Sequence, residues 1–327
     1  LIFLILLGDI DTNIKHSKVR SFADDTRALN GIQEIINSDH LQNDLDCLYN
    51  WTEQNNMKLN ELKFELLRYG KNETLKQNTE YVTPTMTIIK EKSVVKDLGV
   101  LMSTSNSFKE QIDSVIEKGK QMSSWIFRTF NSRNPTEMLT LWKSLVLPRI
   151  EYCSILWCPA KICDIQKIEQ LQWSYIRNIR GNPNLNYWEC LEKFRMFSLQ
   201  RRRERYIIIY IWKIIENLVP NVNNQITVQH TQRLGRKCNQ CTYNNKLKDQ
   251  QITGKGVALF NKLPKYIRNS TNMSVESFKK ILDEFISKLP DEAHVPGHPP
   301  RQSKTNSLLD VIGTWNLNRG RALNCLS

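Results

Sequence analysis

Apolar positions near the start of the chain follow two different periods. Between residues 32 and 53 they recur at helical spacing with acidic residues on the polar side, which predicts a long amphipathic helix packed on a sheet. Before that helix, residues 19–21 and 26–29 can both be extended around an Asp-Asp pair, so they predict a β-hairpin. Further strands are predicted from short apolar runs at residues 57–60, 87–89 and 94–101.

From about residue 106 the pattern becomes helical. Pro135 suits the first turn of one of these helices, and Pro148 is expected to end or kink it. Together the apolar stripes predict a small bundle of three helices. The stripes run through residues 108–130, 135–146 and 165–179.

The chain beyond the bundle is predicted to be mostly helical. Residues 220–250 are polar and indicate a linker or long loop, whereas apolar spacing over residues 278–286 predicts a last helix. Prolines then follow closely at 296, 299 and 300, which predicts an extended and poorly ordered tail.

The composition is that of a globular protein inside a cell. Of the 327 residues, 40% are apolar and 24% charged, which is ordinary for a globular chain. The apolar run at residues 1–7 is too short to cross a bilayer and lacks the flanks of a signal peptide. We therefore expect no membrane partner, and we interpret the run as the end of a buried helix from a longer polypeptide.

The eight cysteines are scattered, which favours reduced thiols and an intracellular location, in the cytoplasm or the nucleus. Cys238 and Cys241 form one CxxC pair with His230 upstream, but no second pair follows at finger spacing. A zinc site and an incidental pair both remain possible there.

Charge is distributed unevenly along the chain, whose net charge is +13. Residues 1–110 hold 13 Lys/Arg and 16 Asp/Glu, whereas residues 111–327 hold 33 and 17. A basic body joined to an acidic hairpin indicates a polyanion brought to a metal site. The alternative is a generally basic protein without such a partner.

The acidic pair Asp24-Asp25 is the first candidate site. Two adjacent carboxylates repel each other unless a cation lies between them. A turn that directs both at one point is suited to Mg²⁺, which prefers oxygen ligands. The alternative is a solvated turn, since Asp is common in turns for local reasons.

Basic residues form the second candidate site. In the run from Arg201 to Arg205, Arg201 and Arg202 either grip phosphates or form the polar face of a packed helix. The three-helix bundle is itself basic. Its candidates for nucleic-acid binding are Arg128, Lys143, Arg177 and Arg180.

The order of these segments resembles the reverse transcriptase of LINE-type, non-LTR retrotransposons, with the jockey-like branch the most similar. The resemblance covers nearly the whole chain, and it depends on the order and spacing of the motifs together. These motifs are Phe22-Ala23-Asp24-Asp25, Met57–Lys63, Lys96–Val100, Leu147–Trp157, Ile168–Gln172, Leu259–Pro264 and Ser307–Asp310.

The resemblance implies an α+β fold: part of a right-hand polymerase palm with an antiparallel sheet and a packed helix, then a helical thumb bundle and a mostly helical C-terminal region. In such enzymes two Mg²⁺ ions promote attack of the primer hydroxyl on a phosphate. The implied partners are an RNA template, a DNA primer or their hybrid duplex, and the N-terminal half of the polymerase. The implied domains are the palm at 1–105, the thumb at 106–182, the basic C-terminal region at 183–290 and the tail at 291–327.

The same resemblance implies roles for individual residues. Asp24 matches the metal-binding carboxylate, with Asp25 in support, and Lys63 matches a lysine that places charge near the departing pyrophosphate. Leu98 and Gly99 match the hairpin that grips the primer end. A solvated lysine and an ordinary tight turn are the respective alternatives.

The family's upstream catalytic carboxylate and its fingers subdomain have no counterpart in this sequence. Loss of a ligand that bridges two metals costs orders of magnitude in rate. We therefore expect no polymerisation by this polypeptide alone. Three hypotheses stand: the C-terminal part of an RNA-directed DNA polymerase, a non-catalytic nucleic-acid-binding remnant of a retrotransposon, and a decayed reading frame.

Overall fold

The computed structural model contains helices and short antiparallel strands, with 51% of the chain helical. This confirms the mixed character of the predicted α+β class. The chain divides into two compact units, Leu1–Glu110 and Gln111–Ser327. Two of the predicted domain boundaries, after residues 182 and 290, fall inside the second unit. The structure describes residues 7–34, 36–70, 72–180, 184–221, 226–231, 235–239, 252–296, 301 and 305–314.

The first unit has two hairpins and one long helix. The pattern of residues 32–53 is confirmed as a helix, although it begins a turn later than the apolar spacing indicates. The Leu7–Asp9 end of the predicted first helix is a single 3-10 turn, and residues 1–6 lie outside the described residues. The elements are β1 Lys18–Phe22, β2 Asp25–Leu29, α1 Ile36–Gln54, α2 Glu73–Gln77, β3 Val94–Asp97 and β4 Val100–Ser103.

The prediction of one strand over residues 94–101 is wrong, because the chain reverses in its middle. Leu98 and Gly99 have φ values of 44° and 85°, and two consecutive left-handed residues form the tight turn that joins two antiparallel strands. Asp97 consequently pairs with Val100 across the turn. The glycine at the second position is the residue that adopts this conformation without strain.

Two other predicted strands are also absent from the described residues. At Met57–Asn60 no ladder forms, because the chain closes into a 3-10 turn in which the Lys63 amide donates to the Asn60 carbonyl at 2.9 Å. Near residues 87–89 there is only an isolated bridge between Ile88 and Val82. Each sheet of the described chain therefore has two strands, and the single larger palm sheet that was expected is not among them.

The described residues of the second unit are helical apart from one hairpin and the connecting segments. This hairpin corrects the prediction of an unstructured linker at 220–250, of which residues 222–225, 232–234 and 240–250 lie outside the described residues. The elements are α3 Lys109–Thr129, α4 Pro135–Leu141, α5 Leu147–Glu151, α6 Ile162–Ile176, α7 Tyr187–Lys193, α8 Leu199–Ile215, β5 Val228–Thr231, β6 Gly235–Cys238, α9 Val257–Lys262, α10 Lys265–Arg268 and α11 Val275–Ile286.

Pro148 neither ends nor sharply breaks its helix. A π turn at Trp142–Val146 joins α4 to α5, and within it the Leu147 amide bonds the Trp142 carbonyl five residues back. Proline has no N–H to continue the ordinary ladder, and a wider turn just before it accommodates that loss. The helix then continues to Glu151.

Helix α8 forms the centre of the second unit. Most of its apolar half is buried, and Trp212 stacks on Phe278 of α11 with ring centroids 4.3 Å apart. The Trp212 indole N–H donates to the Ser270 carbonyl at 2.9 Å. Burial of large aromatic rings is the strongest single source of core stability, so α8 and α11 share one core.

The C-terminal segment is not an extended tail in the part that the structure describes. Residues 308–314 are helical, and Leu308, Val311 and Ile312 are buried in the core around α8. The carboxylate of Glu204 in α8 accepts the Leu308 N–H at 2.7 Å. The prolines at 299 and 300 lie outside the described residues. The prediction of an extended tail was based on these prolines, whereas the packing against α8 depends on residues beyond them.

Candidate functional site

The Asp-Asp pair lies at the tip of the β1–β2 hairpin, as predicted. Phe22 pairs with Asp25, so Ala23 and Asp24 form a two-residue connection. Ala23 has a φ of 52°, a left-handed value that costs an L-residue about 1–2 kcal/mol. Both carboxylates are exposed, and neither has an ion-pair or hydrogen-bond partner among the described residues.

The base of this hairpin is fixed by a residue that the sequence did not single out. Asp44 of α1 is buried, and its carboxylate accepts the backbone N–H groups of Lys15, His16 and Ser17 at 3.1, 3.1 and 2.6 Å. Burial raises the pKa of Asp44, but the Ser17 hydroxyl and these N–H groups outweigh burial and lower it. Helix α1 thereby holds the chain that enters β1.

The Asp44 carboxylate should matter for the hairpin. We expect Asp44→Asn to lower the free energy of unfolding of the first unit by about 1–3 kcal/mol, because one amide oxygen replaces two acceptors. Amide hydrogen exchange over residues 15–29 should accelerate in the variant. A lowered folded-state pKa gives stability that is present above the ordinary pKa and lost as pH falls through the folded value, so the difference should shrink on acidification.

The matched control is Asp46→Asn, two residues along α1. Asp46 is exposed and accepts one side-chain hydrogen bond, from Gln42 at 2.8 Å. We expect it to change stability by less than about 0.5 kcal/mol. Equal effects of the two substitutions would contradict a positioning role for Asp44.

The two hairpins of the first unit are joined by an ion pair. Arg27 of β2 contacts Asp97 of β3, and Asp97 directly precedes the Leu98-Gly99 turn. No local pattern predicts this pair, because the partners are 70 residues apart. Lys63, by contrast, is exposed at the end of its 3-10 turn and has no partner among the described residues.

Asp24 and Asp25 are the residues of the hairpin tip that could hold a Mg²⁺ ion shared with another ligand. Mg²⁺ is usually bound by one or two carboxylates, with waters and substrate phosphates completing the octahedron. Within the part of the chain that the structure describes, no group of three or more His, Cys, Asp or Glu side chains is placed to hold a metal. An ion at this tip would therefore take its remaining ligands from water or from a bound phosphate.

Three predicted arginines meet at one end of the helical bundle. Arg128 lies near the end of α3, and Arg177 and Arg180 directly follow α6. The two ends are joined because the Arg180 amide donates to the Arg133 carbonyl at 2.9 Å. We call Arg128, Arg177 and Arg180 the basic end. All three side chains are exposed and have no partner among the described residues.

Two exposed aromatic residues accompany the basic end. Trp125 and Phe130 of the α3 terminus are 45% and 36% exposed, and their rings form an edge-to-face pair at 6.0 Å. Arg133 donates to the carbonyl of Phe127 at 2.9 Å and also to that of Phe130. The sequence pattern assigned both rings to the apolar stripe of α3. Trp125 lies in the last five residues of α3 and Phe130 directly follows it, and this place at the helix end was the available signal.

Lys143 and Arg202 meet elsewhere, at a cavity of about 490 Å³. Lys143 is exposed. Arg202 donates to both oxygens of Glu151 at 2.6 and 2.9 Å. Burial lowers the pKa of Arg202, but the Glu151 carboxylate outweighs burial and raises it. Arg202 is therefore committed to a protein carboxylate.

Arg201 is a wrong prediction as a nucleic-acid contact. Its side chain is fully buried, donates to the Pro290 carbonyl at 2.6 Å and to Asn306 at 3.3 Å, and lies 3.8 Å from Asp291. A guanidinium so enclosed offers nothing to a phosphate. The alternative of a packed helix face is the correct one, because α8 runs through the core.

Cys241, the second cysteine of the CxxC pair, lies outside the described residues. Cys238 is buried, and burial raises the pKa of its thiol to about 11. The helices of the described chain include none with the length and apolar composition needed to cross a membrane.

No family model, curated protein or solved structure matches this chain. The resemblance to LINE-type reverse transcriptases therefore rests on the order of sequence motifs. The hairpin tip and the basic end are the places where predicted site residues of like charge cluster and are exposed without partners among the described residues.

Proposed function

We propose that this chain is the C-terminal part of the RNA-directed DNA polymerase of a LINE-type mobile element, and that it binds nucleic acid through the basic end. The observation that supports binding is the set of exposed arginines at the joined ends of α3 and α6, which have no partner among the described residues. Phosphate contacts from such arginines supply most of the affinity for nucleic acid. The ligand is an RNA template paired with a DNA primer.

The exposed aromatic pair supports the same ligand class. Trp125 lies three residues before Arg128 on α3, and Phe130 directly follows that helix. Aromatic rings next to a basic groove stack on bases that are not enclosed in a duplex. A general basic surface has no need for exposed rings, which leave apolar area in water. The combination favours a nucleic acid over an acidic protein.

The residues of the first unit supply the chemistry in this proposal. Asp24 and Asp25 would hold Mg²⁺ at the hairpin tip, and a bound Mg²⁺ stabilises negative charge on an attacked phosphate. Asp44 fixes the base of that hairpin through three backbone N–H groups. The Arg27–Asp97 pair holds the Leu98-Gly99 turn against the same hairpin, where a primer end would lie.

The second candidate is a nucleic-acid-binding protein without catalysis. It is favoured by the hairpin tip, which offers two carboxylates where nucleotidyl transfer with two metals requires a further bridging ligand. Primer extension on a homopolymer template with Mg²⁺ that disappears in Asp24→Asn would establish catalysis and reject the second candidate. Binding without extension is the result expected of this polypeptide alone under either candidate.

The basic end should dominate affinity for a DNA–RNA hybrid. We expect the triple variant Arg128→Gln, Arg177→Gln, Arg180→Gln to bind a hybrid about 10- to 100-fold more weakly and to reduce the salt dependence of log K by about 2–3. Fluorescence anisotropy of a labelled hybrid at several salt concentrations measures both quantities.

The control removes the same charge from another surface of the second unit. Arg195, Lys280 and Lys288 are exposed, and their joint replacement by Gln should change affinity by only a few-fold through net charge. If both triple variants lose affinity equally, binding follows total charge and the basic end is not an interface.

A further inference from the structure

The cavity at Lys143 and Arg202 is built where the backbone departs from regular geometry. The π turn at Trp142–Val146 contributes Lys143, and the turn after α5 contributes Tyr152 and Cys153. Cys153 has a φ of 51°, a left-handed value that is uncommon for a residue other than glycine, Asn or Asp. Single π turns and strained backbone residues are both frequent at binding sites.

One cationic group in the cavity is uncommitted. The Lys143 amine has no ion-pair or hydrogen-bond partner among the described residues. The single carboxylate of the lining, Glu151, is occupied, since Arg202 donates to both of its oxygens and the Tyr206 hydroxyl donates to one at 3.0 Å. An incoming anion therefore meets the charge of Lys143 and not that of a free carboxylate.

Two tyrosines also line the cavity. The Tyr152 ring lines it and is 53% exposed, and the Tyr206 ring lies beneath the Arg202 guanidinium at 5.7 Å from its centroid. A cavity of about 490 Å³ falls within the range of sites for small organic ligands. Cation, polar edge and flat ring together are the chemistry that recognises a phosphate joined to a planar base.

We propose that this cavity binds one nucleotide unit, with its phosphate on the Lys143 amine and its base against the Tyr152 ring. The unit is either a free nucleotide or an unpaired nucleotide of a bound strand. In its second form the inference rests on the proposed function, because it places a strand on the second unit. The cavity is then a binding site additional to the basic end, which lies at the ends of α3 and α6.

Two single substitutions test the site. We expect Lys143→Ala to weaken binding of a short single-stranded oligo(A) about tenfold, and Tyr152→Ala to weaken it about 5- to 100-fold. Calorimetric titration with adenosine monophosphate forms the second arm. Loss in both arms assigns a free nucleotide as the source, and loss for the oligonucleotide alone assigns a strand.

Matched controls come from exposed residues outside the cavity. Lys161→Ala removes an exposed lysine at the start of α6, and Tyr266→Ala removes a tyrosine that is 60% exposed. Both should bind oligo(A) as the wild type does. The site is overturned if the wild type binds neither probe, if the two cavity variants bind as the wild type, or if the controls lose as much affinity.

The outcome is separable from that of the proposed function. The cavity variants retain Arg128, Arg177 and Arg180, so salt-dependent binding of a hybrid duplex should persist in them. Hybrid binding that persists while oligo(A) binding is unaffected by either cavity variant would reject the cavity and keep the basic end. Loss of hybrid binding in the wild type would reject the proposed function, and adenosine monophosphate binding would then test the cavity alone.

Discussion

Glu204→Gln should destabilise the second unit by about 3–5 kcal/mol, the range for removing one partner of a buried ion pair. Glu204 is fully buried and contacts the Lys255 amine at 3.1 Å. Its other oxygen accepts the Leu308 N–H at 2.7 Å. An amide supplies one oxygen where the carboxylate uses two, so either the partly buried Lys255 ammonium or the Leu308 N–H is left without an acceptor.

The measurement is chemical denaturation followed by tryptophan fluorescence. Seven of the eight tryptophans lie within residues 111–327, so the signal reports mainly on the second unit. Glu284→Gln is the control, because Glu284 is exposed on α11 and has no side-chain partner among the described residues. It should change the free energy of unfolding by less than about 0.5 kcal/mol.

The pH dependence gives a second check on Lys255. Burial lowers its pKa, but the Glu204 carboxylate and Cys158 outweigh burial, and the pKa is raised. A raised folded-state pKa gives stability that is complete below the ordinary pKa of lysine and lost as pH rises through the folded value. The advantage of the wild type over Glu204→Gln should therefore hold at neutral pH and decline only in alkali. An advantage that is greatest in alkali would contradict the pair.

The main elements of the first unit could be predicted from local sequence patterns. The β1–β2 hairpin and α1 follow from periods of two and 3.6 that any short window contains. The single strand predicted over residues 94–101 was wrong because a tight turn interrupts it at Leu98-Gly99. The family resemblance, unlike the apolar pattern, had matched these two residues to a hairpin. The two isolated strands failed because a strand needs a partner, and the partner of a short apolar run is not encoded in the run itself.

The second unit was harder because its polar residues are buried by distant segments. Arg201 lies in a basic run that a sequence cannot distinguish from a phosphate-binding face, and its partners Pro290 and Asn306 lie 89 and 105 residues away. Burial of an arginine depends on those partners being in place. Local composition therefore predicted an exposed Arg201 side chain, whereas the tertiary contacts bury it.

The candidate site residues also include some that the sequence predicts and others that only the tertiary structure reveals. Asp24 and Asp25 could be chosen from the sequence because adjacent carboxylates are chemically unusual. Asp44 could not be chosen from the sequence, because its role depends on three backbone N–H groups that lie 27 to 29 residues upstream. Each arginine of the basic end was chosen from the sequence. Their position at the same end of the bundle depends on one backbone hydrogen bond between the loop after α3 and the segment after α6.

Leu308→Ala should lower the free energy of unfolding of the second unit by about 2–5 kcal/mol, the usual cost of truncating a buried leucine. Leu308 is fully buried in the core formed around α8, and its N–H is fixed by Glu204, so the surrounding helices have little freedom to fill the space. The control is Leu218→Ala at a leucine that is 54% exposed, where we expect less than about 0.5 kcal/mol. An extended tail would make the two substitutions equally harmless. The difference between them therefore measures whether residues 308–314 belong to the folded core, as their packing against α8 requires.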